Sequence, residues 1–306
     1  MRIAVVGASG FVGSAVLKAL GAQGHDVVAV PAPRLKTTQY APQDHEAVVD
    51  ELSAGLNGHA AVINCAGVPD ASSQDAALLF GANAVVPAVL ARAVSRLRPA
   101  PRLVHVSSAV VQGRMPVLDE SMQTDAFSAY AASKAEGERL ALAELHEGLV
   151  IYRPPSVHAA DRRVTRTISR IARSPLRSVA GPVGRPSPQA LLDNVAAAIA
   201  FLATCPGTPP AVVIHPWEGV TTMSLMESLG GSRPYMVPEK LARVAVRLLS
   251  LAGALVPRLA PDARRVEMLW FGQGQAPSWL TEGGWVPPHG SQAWVDLGHE
   301  VSATSH

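Results

Sequence analysis

The chain has 306 residues, a formal net charge of +2 and 48% hydrophobic residues. So small a charge does not favour nucleic acid as a partner. Two cysteines, Cys65 and Cys205, and ten histidines show no disulfide framework and no metal-ligand spacing, so we predict no metal site and a reducing, cytoplasmic setting. The apolar stretch 244–256 is too short to span a bilayer. We expect a buried helix there, with a helix lying on a membrane surface as the alternative.

The chain opens with a strand, a glycine-rich turn and a helix. Residues 1–6 form an apolar run, Gly7, Gly10 and Gly13 follow at intervals of three, and residues 14–20 have a helical pattern. Glycines permit a tight turn with bare backbone that a pyrophosphate can approach. The helix N-terminus then offers unpaired N–H groups to the phosphates. The turn therefore predicts a dinucleotide site, against the alternative of a strand–helix turn without ligand.

Apolar strands alternate with helices through the first half of the chain. Further strands are predicted at residues 26–30, 60–64, 102–107 and 149–152, all of them buried, and helices at residues 46–56, 83–97 and 131–145. Alternation of this kind predicts an α/β fold with a doubly wound parallel sheet.

The second predicted strand ends without an acidic residue. Enzymes that use NAD usually place Asp or Glu there to bind the ribose hydroxyls, whereas this strand continues into Pro-Ala-Pro-Arg34. Arg34, with Lys36 nearby, suits a 2′-phosphate, and the missing carboxylate removes a repulsion against that phosphate. The sequence therefore favours NADP, with NAD as the alternative.

Tyr130 and Lys134 lie four residues apart, which places them on one face of a predicted helix. An ammonium group nearby favours the phenolate, so the tyrosine can exchange a proton near neutral pH. Ser108 follows a predicted strand at its carboxyl end, where ligands bind in a parallel sheet. Its hydroxyl is predicted to hold a substrate oxygen beside Tyr130. Ser107 is the competing position, because neighbouring side chains on a strand point to opposite faces.

Four motifs now stand in one order along the chain. They are Gly7-x-x-Gly10-x-x-Gly13, Asn64-Cys-Ala-Gly67, Ser107-Ser-Ala-Val-Val-Gln-Gly113 and Tyr130-Ala-Ala-Ser-Lys134. With Arg153-Pro-Pro-Ser-Val157, they resemble the extended short-chain dehydrogenases/reductases of the NAD-dependent epimerase/dehydratase family. The resemblance covers residues 1–160 well and residues 190–230 loosely. It implies a Rossmann-type fold and an NAD(P)-dependent enzyme.

The resemblance also implies the site residues. The catalytic residues would be Ser108, Tyr130 and Lys134. The cofactor would contact Gly7, Ser9, Gly10, Phe11, Val12, Gly13, Arg34, Cys65, Ala66, Gly67, Asn83, Lys134, Pro154, Pro155 and Val157. Two departures bear on the reaction. Gln112 replaces a tyrosine common in the family, and Ala109 and Val110 replace the Asp-Glu pair of the dehydratases, which argues against a 4,6-dehydratase.

The composition changes after residue 152. Seven arginines lie between residues 162 and 185, where extended members of the family bind a sugar nucleotide, and Pro, Gly and Ser crowd residues 180–188. A helix at 191–203 and a strand at 211–215 are predicted to return to the sheet, and a frayed tail is predicted after residue 298. We therefore predict a cofactor-binding domain at 1–155, joined by 190–216, and a smaller, mostly helical substrate lobe from 156–189 and 217–306.

These features together predict an NADP-preferring oxidoreductase that reduces a keto group, on a nucleotide-activated deoxysugar or a similar carbonyl. The layout is similar to that of dTDP-4-dehydrorhamnose reductases. One alternative is a sugar-nucleotide epimerase that keeps NAD tightly bound. Another is a non-enzymatic NADP-sensing regulator, although such regulators generally lack the Tyr/Lys pair. No membrane or nucleic-acid partner is expected, and a homodimer is left open.

Overall fold

The computed structural model describes residues 1–69, 73, 75–182, 184–255 and 260–304. Its strands are β1 (Arg2–Val6), β2 (Asp26–Val30), β3 (Ala61–Asn64), β4 (Arg102–Val106), β5 (Val117–Leu118), β6 (Leu149–Arg153), β7 (Ser156–His158), β8 (Ser178–Ala180), β9 (Gln189–Leu191), β10 (Val212–Ile214), β11 (Tyr235–Val237) and β12 (Gly274–Gln275). Its helices are α1 (Phe11–Ala22), α2 (Glu46–Leu56), α3 (Ala76–Phe80), α4 (Val86–Ser95), α5 (Ala129–Glu144), α6 (Arg163–Arg173), α7 (Leu192–Thr204), α8 (Thr222–Gly230), α9 (Glu239–Leu255), α10 (Ala260–Phe271), α11 (Trp279–Glu282) and α12 (Gln292–Ala303).

The main sheet confirms the predicted doubly wound α/β fold. In the described part of the chain it has six strands in the order β10-β6-β4-β3-β1-β2, and all neighbours are parallel. The predicted late strand is β10, which pairs with β6. From β1 the chain builds outward to β2 on one side and through β3 to β10 on the other. The strand order thus reverses between β1 and β3, and ligands bind at such a reversal point.

Helices cover both faces of the sheet. On one face, Val16 and Leu20 of α1 pack with Ile199 and Leu202 of α7 against β1 and β3. On the other face, α2, α4 and α5 bury apolar side chains such as Leu56 against the same strands. Burial on both faces explains why the central strands are almost entirely apolar.

One helical stretch in the described residues, 76–95, is long and apolar enough to cross a membrane. It comprises α3, a π-helical turn at Gly81–Val85 and α4. Of its most apolar window, 72% is buried inside the protein, as expected of a core helix. The sequence pattern predicted one helix from residue 83 and did not reveal the π-helical turn.

The remaining elements form a smaller, mostly helical layer beside the sheet. Helices α6, α8 and α12 share an apolar cluster around Leu225, Leu229 and Trp294. Two short two-stranded pairs accompany these elements, β8 with β11 and β7 with β9. The second pair also packs on the main sheet through Val157 and Ala190. Arg173 anchors this layer by donating to the backbone oxygens of Leu229 and Gly298.

Three sequence expectations about burial are wrong. Strand β2 is a half-exposed edge of the sheet, because only β1 pairs with it. The tail is not frayed after residue 298, since α12 runs to Ala303 and buries Val301. Helix α9 is not buried but exposes several large apolar side chains. Residue 256, at the end of the expected helix, and residues 305 and 306 lie outside the described residues.

A buried ion pair joins the end of the sheet to α5. Arg153, at the end of β6, donates from Nε and Nη2 to the two carboxylate oxygens of Glu138 at 3.0 and 2.7 Å. Its Nη1 donates to the backbone oxygen of Ser121. The Arg153 side chain is 0% exposed and that of Glu138 is 4% exposed. Because water scarcely reaches either group, each charge is stabilised by the other.

We expect Glu138→Gln to lower the free energy of unfolding by about 3–5 kcal/mol, because it leaves the Arg153 guanidinium buried without a counter-charge. Urea denaturation measures the change. The matched control is Glu136→Gln on the same helix, whose partner Arg139 is 64% exposed. We expect that control to change stability by no more than about 0.5 kcal/mol. Equal losses for the two variants would contradict the proposed role of burial.

Candidate active site

The glycine turn after β1 is built for close backbone approach. Gly7 has φ +77°, and a Cβ on it would lie 2.6 Å from the backbone nitrogen of Ala66. A Cβ on Gly13 would lie 2.2 Å from the backbone oxygen of Gly7. These contacts bring the turn, the start of α1 and the segment after β3 together. No side chain caps α1 at Gly10, so the first N–H groups of the helix stay available for an anion.

A cavity of about 740 Å³ lies over this turn, at the carboxyl ends of β1, β2 and β3. It brings together five of the predicted cofactor residues, Gly7, Ser9, Arg34, Ala66 and Gly67. Other predicted contacts lie around it. Gly13 is buried beneath the turn, while Gly10 is exposed at the start of α1 and Phe11 and Val12 are half-buried in its first turn.

The loop after β2 carries a basic side chain into the same cavity. Arg34 is exposed, lines the cavity and forms no ion pair with any described residue. Lys36 lies beside it but is held by Asp75 at 2.8 Å. The loop packs closely on Gly81. A Cβ on Gly81 would lie 2.0 Å from the backbone oxygen of Leu35. Of the two cations, Arg34 is therefore the one with a free charge.

Tyr130 and Ser108 meet at the carboxyl end of β4. Ser108 caps the short 3-10 turn at Ala109–Gln112, its Oγ accepting from the backbone nitrogen of Val110. Tyr130 stands in the first turn of α5, which begins at the cap residue Ser128. Burial raises the pKa of the Tyr130 phenol, while a hydrogen bond with Ser108 and the charge of Arg162 act in the opposite direction. Without cofactor, the phenol is thus protonated at neutral pH.

Ser107 and Ser108 differ as the alternation of a strand predicts. Ser107 is buried, and its hydroxyl has no hydrogen-bond partner in the described part of the chain. Ser108 is only half-buried and pairs with Tyr130. The Arg-Pro segment lies alongside, since the backbone oxygen of Pro154 accepts from Ala109. Pro155 and Val157 follow as half-buried residues.

Lys134 lies one turn beyond Tyr130, against Gly67, which lines the cavity. Its Nζ donates to the backbone oxygen of Val106 at 3.2 Å. A Cβ on Gly67 would lie 3.0 Å from that Nζ, so the glycine leaves room for the ammonium. Burial lowers the pKa of Lys134 to about 8, against the opposing influence of Glu138 and Cys65. Burial raises the pKa of the Cys65 thiol to about 12, which keeps it protonated.

Asn83 acts as a brace in this arrangement. Its amide accepts from the backbone nitrogen of Val68 and donates to the backbone oxygen of Val68 and to Ser133. It thereby ties the segment after β3 to α5. Gly137 tightens the same contact, because a Cβ on it would lie 2.0 Å from the backbone oxygen of Asn83. Asn83 is fully buried, and both polar atoms of its amide are used within the protein.

Two further residues complete the site. Gln112, which replaces the family tyrosine, is buried and bonds Asp119 through both amide atoms, so it supports the Ser108 turn. Arg162 holds its guanidinium 4.4 Å from the centre of the Phe11 ring and close enough to Tyr130 to influence its pKa. Arg162 is one of the seven arginines of the basic segment, and nothing in their sequence pattern singles it out.

Sequence comparison places this site in a known family. The model of the NAD dependent epimerase/dehydratase family matches residues 3–184, more than half of the chain. The chain belongs to that family. It is an NAD(P)-dependent enzyme of the extended short-chain dehydrogenase/reductase type, as the sequence motifs predicted. No curated protein sequence matches it.

Solved structures with low identity share the fold over the whole chain. A UDP-glucuronic acid 4-epimerase from Bacillus cereus in complex with NAD has a TM-score of 0.65 at 17% identity, covering 100% of both chains. A dTDP-4-dehydrorhamnose reductase from Bacillus anthracis in complex with NADP has a TM-score of 0.63 at 16% identity, covering 98% of this chain and 99% of the other. A human epimerase family protein with NADPH has a TM-score of 0.65 at 18% identity, covering 98% and 99%.

Proposed function

We propose that this enzyme is an NADP-preferring reductase of a keto group on a nucleotide-activated deoxysugar or a similar carbonyl compound. The observation that carries the proposal is the pairing of Tyr130 with Ser108, with Lys134 one helical turn further on against Gly67 of a cavity that Arg34 also lines. Solved structures of the same fold include a dehydrorhamnose reductase with NADP. Reduction of a dTDP-4-keto-6-deoxysugar, followed as loss of NADPH absorbance, tests the reaction.

The residues around the cavity fit a dinucleotide. Gly7, Gly13 and Gly67 leave a cradle that side chains would fill, and the uncapped start of α1 suits a pyrophosphate. We assign to the ammonium of Lys134 the role of binding the nicotinamide ribose. When bound, the nicotinamide supplies the two electrons of the reduction.

Tyr130 and Ser108 supply the proton and the orientation. Ser108 donates a hydrogen bond to the substrate oxygen and so fixes it near the phenol of Tyr130. Tyr130 then gives its proton to that oxygen as the carbonyl becomes an alcohol. Burial raises the pKa of the Tyr130 phenol, so the phenol carries the proton that a reduction needs. The ammonium of Lys134, one helical turn away, favours the phenolate that is left behind.

Arg162 fits the substrate side of this arrangement. Its guanidinium lies over the Phe11 ring, its charge opposes the effect of burial on the pKa of Tyr130, and it forms no ion pair with any described residue. Guanidinium groups bind phosphates and carboxylates through bidentate hydrogen bonds. A cation at this place supports a substrate with an anionic group, as a sugar nucleotide has.

The preference for NADP rests on Arg34. We expect Arg34→Ala to weaken NADPH binding by about tenfold or more, because a charge-assisted hydrogen bond to the 2′-phosphate contributes about 1.5–3 kcal/mol. Binding of NADH, which lacks that phosphate, should change by less than about twofold. Titration of both cofactors by fluorescence measures the two affinities.

Lys36→Ala is the matched control for Arg34→Ala. Lys36 is a neighbouring cation in the same loop, but Asp75 already balances its charge. We expect this control to keep most of the preference for NADPH. Equal affinities of the wild type for the two cofactors, or a loss with Lys36→Ala alone, would contradict the proposed role of Arg34.

An epimerase is the second candidate, because the same triad serves a reaction that oxidises and then reduces the same carbon. It would keep NAD bound, whereas a reductase exchanges NADP with solution. Mass spectrometry of the nucleotide that copurifies with the protein separates the two. Tightly held NAD would favour the epimerase.

Tyr130 and Lys134 count against a non-enzymatic regulator. We further propose that the enzyme is cytoplasmic. The proposal rests on its two free cysteine thiols and on the family to which the chain belongs.

A further inference from the structure

Helix α9 presents an apolar face to solvent. Leu241, Val244, Leu248 and Leu251 are 64%, 54%, 62% and 64% exposed. Their spacing of three, four and three residues places them in one stripe along the helix. Single exposed apolar residues are common on protein surfaces, but a continuous stripe of four is a recognition feature.

This stripe is separate from the face that packs on the protein. Ala242 and Val246 of α9 are buried against Ala180 and Phe271. At 100° per residue, that inner face lies on roughly the opposite side of the helix from the stripe. The helix therefore has two apolar faces, of which the described residues of the chain cover one.

A basic stripe runs along the other border of the exposed face. Lys240, Arg243 and Arg247 each precede one of the exposed apolar residues, so they form a parallel row. Arg243 is paired with Glu239 on the same helix. Lys240 and Arg247 form no ion pair with any described residue. The border of the apolar stripe is thus positively charged.

The strand that precedes α9, β11, also exposes large side chains next to a basic residue. Tyr235 and Met236 of β11 are 56% and 46% exposed. The guanidinium of Arg177 stacks 4.7 Å from the centre of the Tyr235 ring and also donates to its hydroxyl. An aromatic ring with an arginine beside it is common where proteins meet the interface between lipid and water.

We propose that α9, together with β11, binds the surface of an anionic lipid bilayer. The apolar stripe enters the boundary between headgroups and acyl chains, and Lys240 and Arg247 lie over the anionic headgroups. The helix lies along the surface and does not span the bilayer. This attachment is reversible, because one short helix buries few apolar side chains.

A second copy of this chain fits the stripe less well. Two α9 helices packed antiparallel on their stripes would bring their basic borders together. The acidic side chain of the helix, Glu239, is already occupied by Arg243, so no free carboxylate on it would offset that repulsion. An anionic membrane supplies the missing negative charge.

Vesicle cosedimentation of the full chain tests the proposal. We expect wild-type protein to bind vesicles of phosphatidylcholine with about one third phosphatidylglycerol, and to bind pure phosphatidylcholine at least about fivefold less. Leu248→Glu should lower the partition coefficient on the anionic vesicles by about tenfold or more. Val286→Glu is the matched control, because Val286 is 77% exposed but lies outside α9. It should bind as the wild type does.

A second pair of variants tests the charges alone. Lys240→Gln with Arg247→Gln should also lower binding to anionic vesicles, whereas Arg2→Gln with Lys18→Gln, which removes two cations from the sheet domain, should lower it much less. Failure of the wild type to bind anionic vesicles would overturn the proposal. Equal binding by Leu248→Glu and Val286→Glu would do so too.

Sedimentation velocity without lipid distinguishes the remaining occupant of the stripe. We expect the wild type and Leu248→Glu to have the same oligomeric state. A wild-type dimer that Leu248→Glu converts to monomer would overturn the proposal and identify the stripe as an interface between two copies.

Discussion

Tyr130→Phe is expected to lower turnover by about a hundredfold or more, since general acid catalysis typically contributes 10² to 10⁴. The change removes one oxygen and little volume from a half-buried side chain at the start of α5, so the fold should persist. Cofactor affinity should stay within about threefold of the wild type, because the phenol acts on the substrate. Steady-state kinetics on the true substrate, with fluorescence titration of NADPH, measures both effects.

Tyr235→Phe controls for the loss of a hydroxyl as such. Tyr235 is exposed on β11, remote in sequence from the catalytic motifs, and its variant should turn over like the wild type. Near-normal turnover by Tyr130→Phe would show that another group donates the proton, and it would reopen the non-enzymatic candidate.

Lys134→Met extends this result, because Lys134 and Tyr130 are expected to act as a unit. The variant should lose turnover and also bind cofactor more weakly, since its ammonium lies against Gly67 at the cavity wall. Combined with Tyr130→Phe, the loss should be smaller than the sum of the two single losses in free energy. Strictly additive losses would indicate two independent roles.

Gly10→Val is expected to weaken cofactor binding well over tenfold, equivalent to at least about 1.4 kcal/mol. Gly10 is exposed at the uncapped start of α1, and a Cβ there already lies 3.2 Å from the backbone oxygen of Gly7. The branched side chain would occupy the space in front of the helix N-terminus, where a pyrophosphate must approach. Titration with NADPH measures the loss.

Gly21→Val is the control for Gly10→Val. Gly21 lies in the same helix, and a Cβ on it would have nothing within 4 Å. Both variants introduce the same side chain into α1, but only one lies at the anion-binding end. Unchanged cofactor affinity in a folded Gly10→Val protein would refute the assignment of this turn to the dinucleotide.

Much of the fold was predictable because local and global signals agree in the first half of the chain. Strands β1, β3, β4 and β6 are apolar runs bounded by turn residues, and their order in the chain leaves few parallel topologies. The π-helical turn at Gly81–Val85 was not predictable. The first residue of the turn, Gly81, has no Cβ and so lets the backbone of Leu35, far away in sequence, rest on it, and no local pattern records such a contact.

In the candidate site, too, sequence motifs indicate some residues and not others. Gly7, Tyr130 and Lys134 stand in motifs whose spacing carries their chemistry, so sequence could propose them, and their roles stay predictions until the variants are made. Arg162 is one of seven arginines in a short basic segment. Its place beside Phe11 and Tyr130 follows from the path of the chain after β7, which composition does not encode.

The burial of α9 was predicted wrongly for a general reason. A helix with apolar residues on more than half of its circumference resembles a core helix in sequence. The pattern shows how wide the apolar surface is, but not how much of it the rest of the chain covers. Only the packing of Ala242 and Val246 against Phe271 shows which face of α9 is buried, and therefore that the stripe with Leu248 is exposed to solvent.

The contact between Gly137 and the backbone of Asn83 also bears on how this enzyme could diversify. Helix α5 meets the π-helical turn main chain to main chain, with no side chain between them. This direct backbone contact helps to fix the position of α5, which carries Tyr130 and Lys134, and it does not depend on the rotamer of a replaceable residue. Sequence changes in the predicted substrate lobe would leave this backbone contact, and with it the position of Tyr130 and Lys134, unchanged. New substrate specificities are thus open to this scaffold without rebuilding its chemistry.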